Sequence, residues 1–134
     1  MSAEDTKEIV CRFWEEGWNQ QNLDRFDELM DRQYAALEHS WSAEVWAAYP
    51  DTHFELHDLI AESDKVVTRV TLNGTHSGEF WGVAPTGKKM SVGAMFIHRV
   101  VDGRIQWDGR FGVIDLLGWQ QQLGLVPPSV SSPP

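Results

Sequence analysis

The chain has 134 residues, 42% of them hydrophobic, and a formal net charge of −9 from 11 basic and 20 acidic side chains. That is apolar mass for one compact domain, and the acidity speaks against a nucleic-acid phosphate backbone as partner. The single cysteine, Cys11, excludes an internal disulfide and fits a reducing, cytoplasmic location.

The N-terminal MSAEDTKEIV is acidic and lacks the apolar run of a secretory signal. A helix is predicted over residues 5–19, because Ile9, Val10, Phe13, Trp14 and Trp18 recur at three- and four-residue spacing on one face. Ser2 and Asp5 stand at capping-box spacing ahead of it. NQQN breaks the pattern. Asn22 is then placed to cap a second helix, with Asp24 in its first turn and Leu23, Phe26, Leu29 and Met30 as its apolar stripe. Residues 36–49 read as a third helix, with Leu37, Trp41, Val45 and Tyr49 in near-register and Pro50-Asp51 at its end. The helical pattern runs from Leu23 to Tyr49 without a visible break.

Beyond Asp51 the period changes to two. HFELHDLIAE alternates, Ser63-Asp64 supplies a short turn, and KVVTRVTLNGTH is alternating and β-branched. EFWGVAPTGKK is a Gly/Pro-rich loop carrying Phe80 and Trp81. Residues 91–101 and 104–114 form two further strands around Asp102-Gly103, a strong hairpin signal. DLLGWQQQLG closes the domain as a short helix. Helices followed by an antiparallel sheet indicate an α+β fold. Nothing divides residues 1–126, which read as one domain, and the Pro/Ser-rich 127–134 is expected to be disordered. No stretch of about 18 apolar residues is present, so no membrane partner is expected.

Strand parity selects the first chemical candidate. Val92, Ala94, Phe96, His98 and Val100 share one face of their strand, the more apolar one, so His98 points toward the helices. There it is either a hydrogen-bonded core residue or an acid/base in a pocket. Asp115, between the last strand and the last helix, is either an N-cap or a desolvated carboxylate with a raised pKa. Asp108 and Arg110 stand two apart as an ion pair, or join Asp115 in an Asp-Arg-Asp set for opening epoxides. His53, Glu55 and His57 share a strand face but span about 13 Å, too far to converge on a metal. Seven tryptophans suit a large aromatic core or a roomy pocket with aromatic walls.

Together, THSGEFWGVAPTGKKMSV, FIHRVVDGRI and DLLGWQQQLG resemble the SnoaL-like polyketide cyclase family of the nuclear transport factor 2-like superfamily. PDTHFELHDLIAESDKVVTRVTLNGTHSGEF fits its preceding hairpin and FWEEGWNQQNLDRFDELM its first two helices, so the likeness covers nearly all of residues 7–126. The resemblance implies a cone-shaped fold, with about three N-terminal helices on a curved antiparallel sheet and a short C-terminal helix. It implies intramolecular aldol cyclisation of a hydrophobic polyketide-like substrate without metal or cofactor. Asp115 falls at the family's acid/base aspartate and His98 at a helper position in the cavity. Trp14, Trp18, Phe96 and Phe111 are then candidate walls, Phe80 and Trp81 the mouth, and Trp107 a further lining residue on Asp115's strand parity.

The run IQWDGRFGVID is about two residues longer than the family pattern. A bulge that absorbs the extra length re-aims Asp108 or Asp115. The family's loop between the second and third helices has no counterpart here, where MDRQYA runs into ALEHSW. The alternative functions are epoxide opening, which requires Asp108, Arg110 and Asp115 to converge, and binding of a small ligand without catalysis. A sheet face with Arg69, Thr71 and Met95 is the expected surface of a homodimer.

Overall fold

The computed structural model describes residues 2–127; most of the stretch expected to be disordered lies outside the described residues. Helix α1 (Ala3–Arg12) opens with the predicted capping box. Asp5 N–H donates to Ser2 Oγ and Ser2 N–H to Asp5 Oδ2, both at 3.1 Å. The winding then loosens into a π-helical stretch, Phe13–Asn19. There Phe13, Trp14 and Trp18 are buried, as their spacing predicts, together with Gly17. Helix α2 (Leu23–Leu29) is capped by Asn22 as expected.

The break hidden in the sequence falls at Met30-Asp31. Met30 is extended and fully buried, forming a parallel bridge with Ile105. Asp31 N–H donates to Ile105 O at 2.8 Å. The Asp31 side chain caps α3 (Arg32–Ala48), which therefore starts four residues before the predicted 36. A contact with a distant strand, not a local helix breaker, stops α2.

Four strands follow as an antiparallel meander in the order β1-β2-β3-β4: β1 (His53–Glu62), β2 (Lys65–Thr75), β3 (Lys89–Val101) and β4 (Arg104–Ile114). The β3–β4 turn has positive φ at both Asp102 (50°) and Gly103 (78°), the backbone twist that joins adjacent strands tightly. The concave face buries Phe54, Val66, Val70, Val92, Val100 and Ile105 against the helices. On the opposite face Ile60, Met95, Phe111 and Val113 are exposed, Arg69 pairs with Asp58, and His57 bonds Thr71. Helix α4 (Leu116–Leu123) folds back on β3. There the Gln122 side chain bonds both backbone groups of Ser91, and Trp119 Nε1 donates to Tyr49 OH at 3.0 Å. The result is the expected cone, with helices closing one side of a curved sheet. No helix among the described residues is long and apolar enough to cross a membrane.

Candidate active site

The cone encloses an apolar chamber of about 60 Å³ between the π-helical stretch, α3 and the sheet. Trp14, Trp18, Trp41, Phe54, Phe96 and Trp119 supply its aromatic wall. The volume suits only about four waters. A second recess of about 280 Å³ adjoins it on the outside, sharing Tyr34, Glu38, Trp41 and Phe96 and adding Leu37, Trp107, Arg110 and Phe111. A ligand larger than a small fragment exceeds the chamber, and the recess is the space that borders it.

Three polar side chains line this region: Tyr34 and Glu38 border both spaces, and His98 borders the chamber alone. His98, on the concave face as parity predicts, is fully buried, with Phe96 stacked beside it. Its Nε2 is 3.1 Å from Tyr34 OH, and its Nδ1 has no partner among the described residues. Burial, and secondarily the charge of Arg110, lowers the imidazole pKa to about 4, so the ring is neutral at pH 7. One proton is then shared out in either of two ways. Tyr34 donates to Nε2 and leaves Nδ1–H free, or Nε2–H donates to Tyr34 and leaves its hydroxyl hydrogen free. Burial also raises the Tyr34 pKa, so the phenol stays protonated.

The third is Glu38. Its carboxyl accepts from Trp18 Nε1 at 3.0 Å through Oε2, while Oε1 makes no hydrogen bond with any described residue. Burial pushes its pKa up to about 7, against the smaller lowering effects of the Trp18 bond and the Arg110 charge. The residue as a whole is half-buried, set between the aromatic chamber and the outer recess. Sequence reasoning missed it. The available signal was the run Tyr34, Glu38, Trp41, Val45, at spacings of four, three and four, which sets one carboxylate into the apolar stripe of α3.

Strand β4 decides where the other candidates go. Pairing holds at Arg99 with Gln106 and resumes at Ile97 with Phe111, so residues 107–110 stand opposite His98 alone. Gly109 takes φ 81° in this bulge, a conformation that disfavours a side chain. The three extra residues are an odd number, so strand parity reverses. Before the bulge Ile105 and Trp107 face inward; after it Gly112 and Ile114 do, opposite Phe96 and Ala94.

Asp115 consequently turns away from the chamber, contrary to the expectation that it shares Trp107's parity. It is exposed, and its Oδ1 accepts from Gly118 N–H at 3.0 Å as the N-cap of α4. Its own N–H donates to Gly93 O, five residues along β3 from His98, or about 16 Å. Asp108 is exposed on the bulge, where it pairs with no described residue. The convergence of Asp108, Arg110 and Asp115 required for epoxide opening is absent. Arg110 instead lies over Trp107, with its Cζ 3.6 Å from the ring centroid.

Of the expected walls, Trp14, Trp18 and Phe96 line the chamber, whereas Trp107 and Phe111 line the outer recess. Phe80 and Trp81 do not form the mouth. They pack on Trp119 at 5.1 and 4.8 Å and back the wall from outside. His53, Glu55 and His57 are exposed along β1, and no three such side chains cluster to hold a metal among the described residues.

A family model describing SnoaL-like polyketide cyclases matches residues 8–123. The chain belongs to that family. It is thereby a member of an enzyme family, and its enclosed apolar chamber suits a small hydrophobic ligand. Among solved structures, this SnoaL-like chain is similar to AclR from Streptomyces galilaeus, described as a "putative hydroxylase". The two are 27% identical with a TM-score of 0.85, covering 96% of this chain and 88% of that one. It is also similar to IdmH from Streptomyces antibioticus, a "putative polyketide cyclase", at 25% identity and TM-score 0.74, covering 89% and 98%. TsrD from Streptomyces laurentii shares the fold at 23% identity and TM-score 0.84, covering 94% and 99%. Comparison with curated protein sequences finds no significant match.

In this SnoaL-like chain Asp115→Ala is expected to cost about 1 kcal/mol of stability through the lost cap and to leave turnover within about twofold of wild type. Urea unfolding alongside an activity assay checks both. A collapse of turnover with the fold intact would return Asp115 to the reaction.

Proposed function

We propose that the chain is a cyclase or isomerase acting by general acid/base catalysis on a hydrophobic, polyketide-like molecule, with Glu38 as the group that moves the proton. The observation that carries this reading is a carboxyl with a pKa of about 7 at the junction of chamber and recess, one oxygen held by Trp18 and the other free. Near neutral pH both of its protonation states are populated, the condition under which one side chain serves as base and then acid.

As carboxylate, Glu38 takes a proton from a carbon flanked by two carbonyl groups. The resulting enolate attacks a carbonyl further along the same molecule, forming a carbon–carbon bond and an alkoxide. The protonated Glu38 then returns its proton to that oxygen, so the sequence is an isomerisation with no change of oxidation state. The free hydrogen of the His98–Tyr34 pair stabilises the oxyanion. Neither group has to ionise for this, which matches a histidine lowered to about 4 and a raised phenol. The aromatic walls hold the chain folded so that the reacting carbons meet.

The test is deuterium exchange at the central carbon of a neutral aromatic 1,3-diketone, benzoylacetone, followed by NMR as a function of pH. Wild type is expected to accelerate exchange above the buffer rate, with a bend near pH 7. Glu38→Gln is expected to lose about 10²- to 10⁴-fold of that acceleration. Undiminished exchange in the variant sinks the assignment to Glu38. Binding of the diketone with no exchange at all favours a binding module.

A further inference from the structure

We propose that the outer recess is a carboxylate-binding subsite with Arg110 as its anchor, so that the natural ligand is a planar aromatic or conjugated acid rather than a neutral molecule. This rests on the reading of the adjoining chamber as the reaction site.

The charge of Arg110 is isolated. In this acidic protein Arg12, Arg25, Arg69 and Arg99 are in ion pairs, and Arg104 donates to the carbonyls of Asp27 and Met30; Arg32, in the first turn of α3, shares the lack of an ion pair but borders neither the chamber nor the recess. Arg110 has no carboxylate of a described residue within 4.0 Å, although Asp108 is two residues away. Glu38 is no counter-ion at that range either. A guanidinium at the rim of an apolar recess, unpaired in a chain of charge −9, is a site for an anion supplied from outside.

The bulge at residues 107–110 carries Arg110 over the Trp107 ring at 3.6 Å, with Tyr34 at 5.7 Å. This cation–π contact holds the guanidinium against the indole. The guanidinium N–H edges donate to no described residue. Such a planar fork matches the two oxygens of a carboxylate. Trp107, Phe111, Trp41 and Phe96 line the rest of the recess, a surface for a flat ring system. A ligand anchored by its carboxylate there extends its other end past Phe96 toward Glu38, which borders both spaces, and His98, which lines the chamber. Arg110 is thus a binding residue that sets which end of the substrate enters the chamber.

The experiment compares 2-naphthoate with its neutral isostere 2-naphthamide by isothermal titration calorimetry, on wild type, Arg110→Gln and Arg110→Lys. Wild type is expected to bind the acid about tenfold more tightly than the amide, with a preference that shrinks as salt is added. Arg110→Gln is expected to abolish the preference while leaving amide affinity unchanged. Arg110→Lys is expected to keep a smaller preference, because an ammonium retains the charge but not the fork. Circular dichroism confirms that the variants fold. Equal affinity for acid and amide in wild type, a preference that survives Arg110→Gln, or no binding of either probe overturns the proposal. None of these outcomes affects the Glu38 assignment, which is read by exchange into a neutral diketone.

Discussion

Glu38→Gln is expected to become more stable above neutral pH in the same step that removes proton transfer. The folded pKa of about 7 lies above the ordinary value of 4.5. Between those values the folded state binds more protons than the unfolded chain, so this group's contribution falls as pH rises through the window and is lowest above pH 7. The cost of holding the ionised form in the chamber is on the order of 2–3 kcal/mol. Glutamine keeps an acceptor for Trp18 Nε1 and never ionises, so the variant recovers most of that cost.

His98 works with the opposite sign. Its pKa is lowered from 6.5 to about 4, so its contribution is complete above 6.5 and is lost as pH falls toward 4. In wild type the two slopes oppose each other between 4.5 and 6.5 and largely cancel. Removing Glu38 exposes the histidine slope alone. Urea unfolding at about pH 8 and about pH 5 should therefore find Glu38→Gln more stable than wild type at the higher pH and without that advantage at the lower. An equal difference at both would mean the carboxyl is not desolvated in the folded protein, and the acid/base reading would lose its basis.

Asp31→Ala should cost about 3 kcal/mol and loosen the wall that carries Trp107 and Arg110. One Asp31 oxygen accepts from Tyr34 N–H at 2.7 Å and caps α3. The other accepts from Trp107 N–H at the start of the bulge. Losing the cap is worth about 1 kcal/mol. Stranding a bulge N–H that had a charged acceptor adds about 2 kcal/mol. Both bonds act on the site, since Tyr34 holds His98 and Trp107 carries the Arg110 guanidinium. Asp31→Asn keeps one carbonyl oxygen and should fall between alanine and wild type. Hydrogen exchange at residues 107–110, read with the urea midpoint, separates a tether from a simple cap. If the bulge amides stay as protected in Asp31→Ala as in wild type, only the cap was lost.

Where side chains and turns act locally, the sequence determined the outcome. Ser2 and Asp5 close a capping box, Asn22 caps α2, Asp102-Gly103 forms the tight turn, and alternation along β3 turns His98 inward. Each depends on sterics and hydrogen bonds within a few residues, which repeat wherever the same residues occur. Three features that make the site depend on partners remote in the chain. Met30 leaves the helix because Ile105 pairs with it. Asp115 faces outward because the cross-strand register with β3 admits an odd bulge, and a one-residue change of register exchanges the faces of a strand. Glu38 is a near-neutral acid only because the π-helical stretch and β3 pack around it and strip away much of its hydration; on α3 alone it is an ordinary carboxylate. Sequence could therefore place the histidine but not the carboxyl that lines the same chamber, since desolvation belongs to the assembled cavity and not to any segment that builds it.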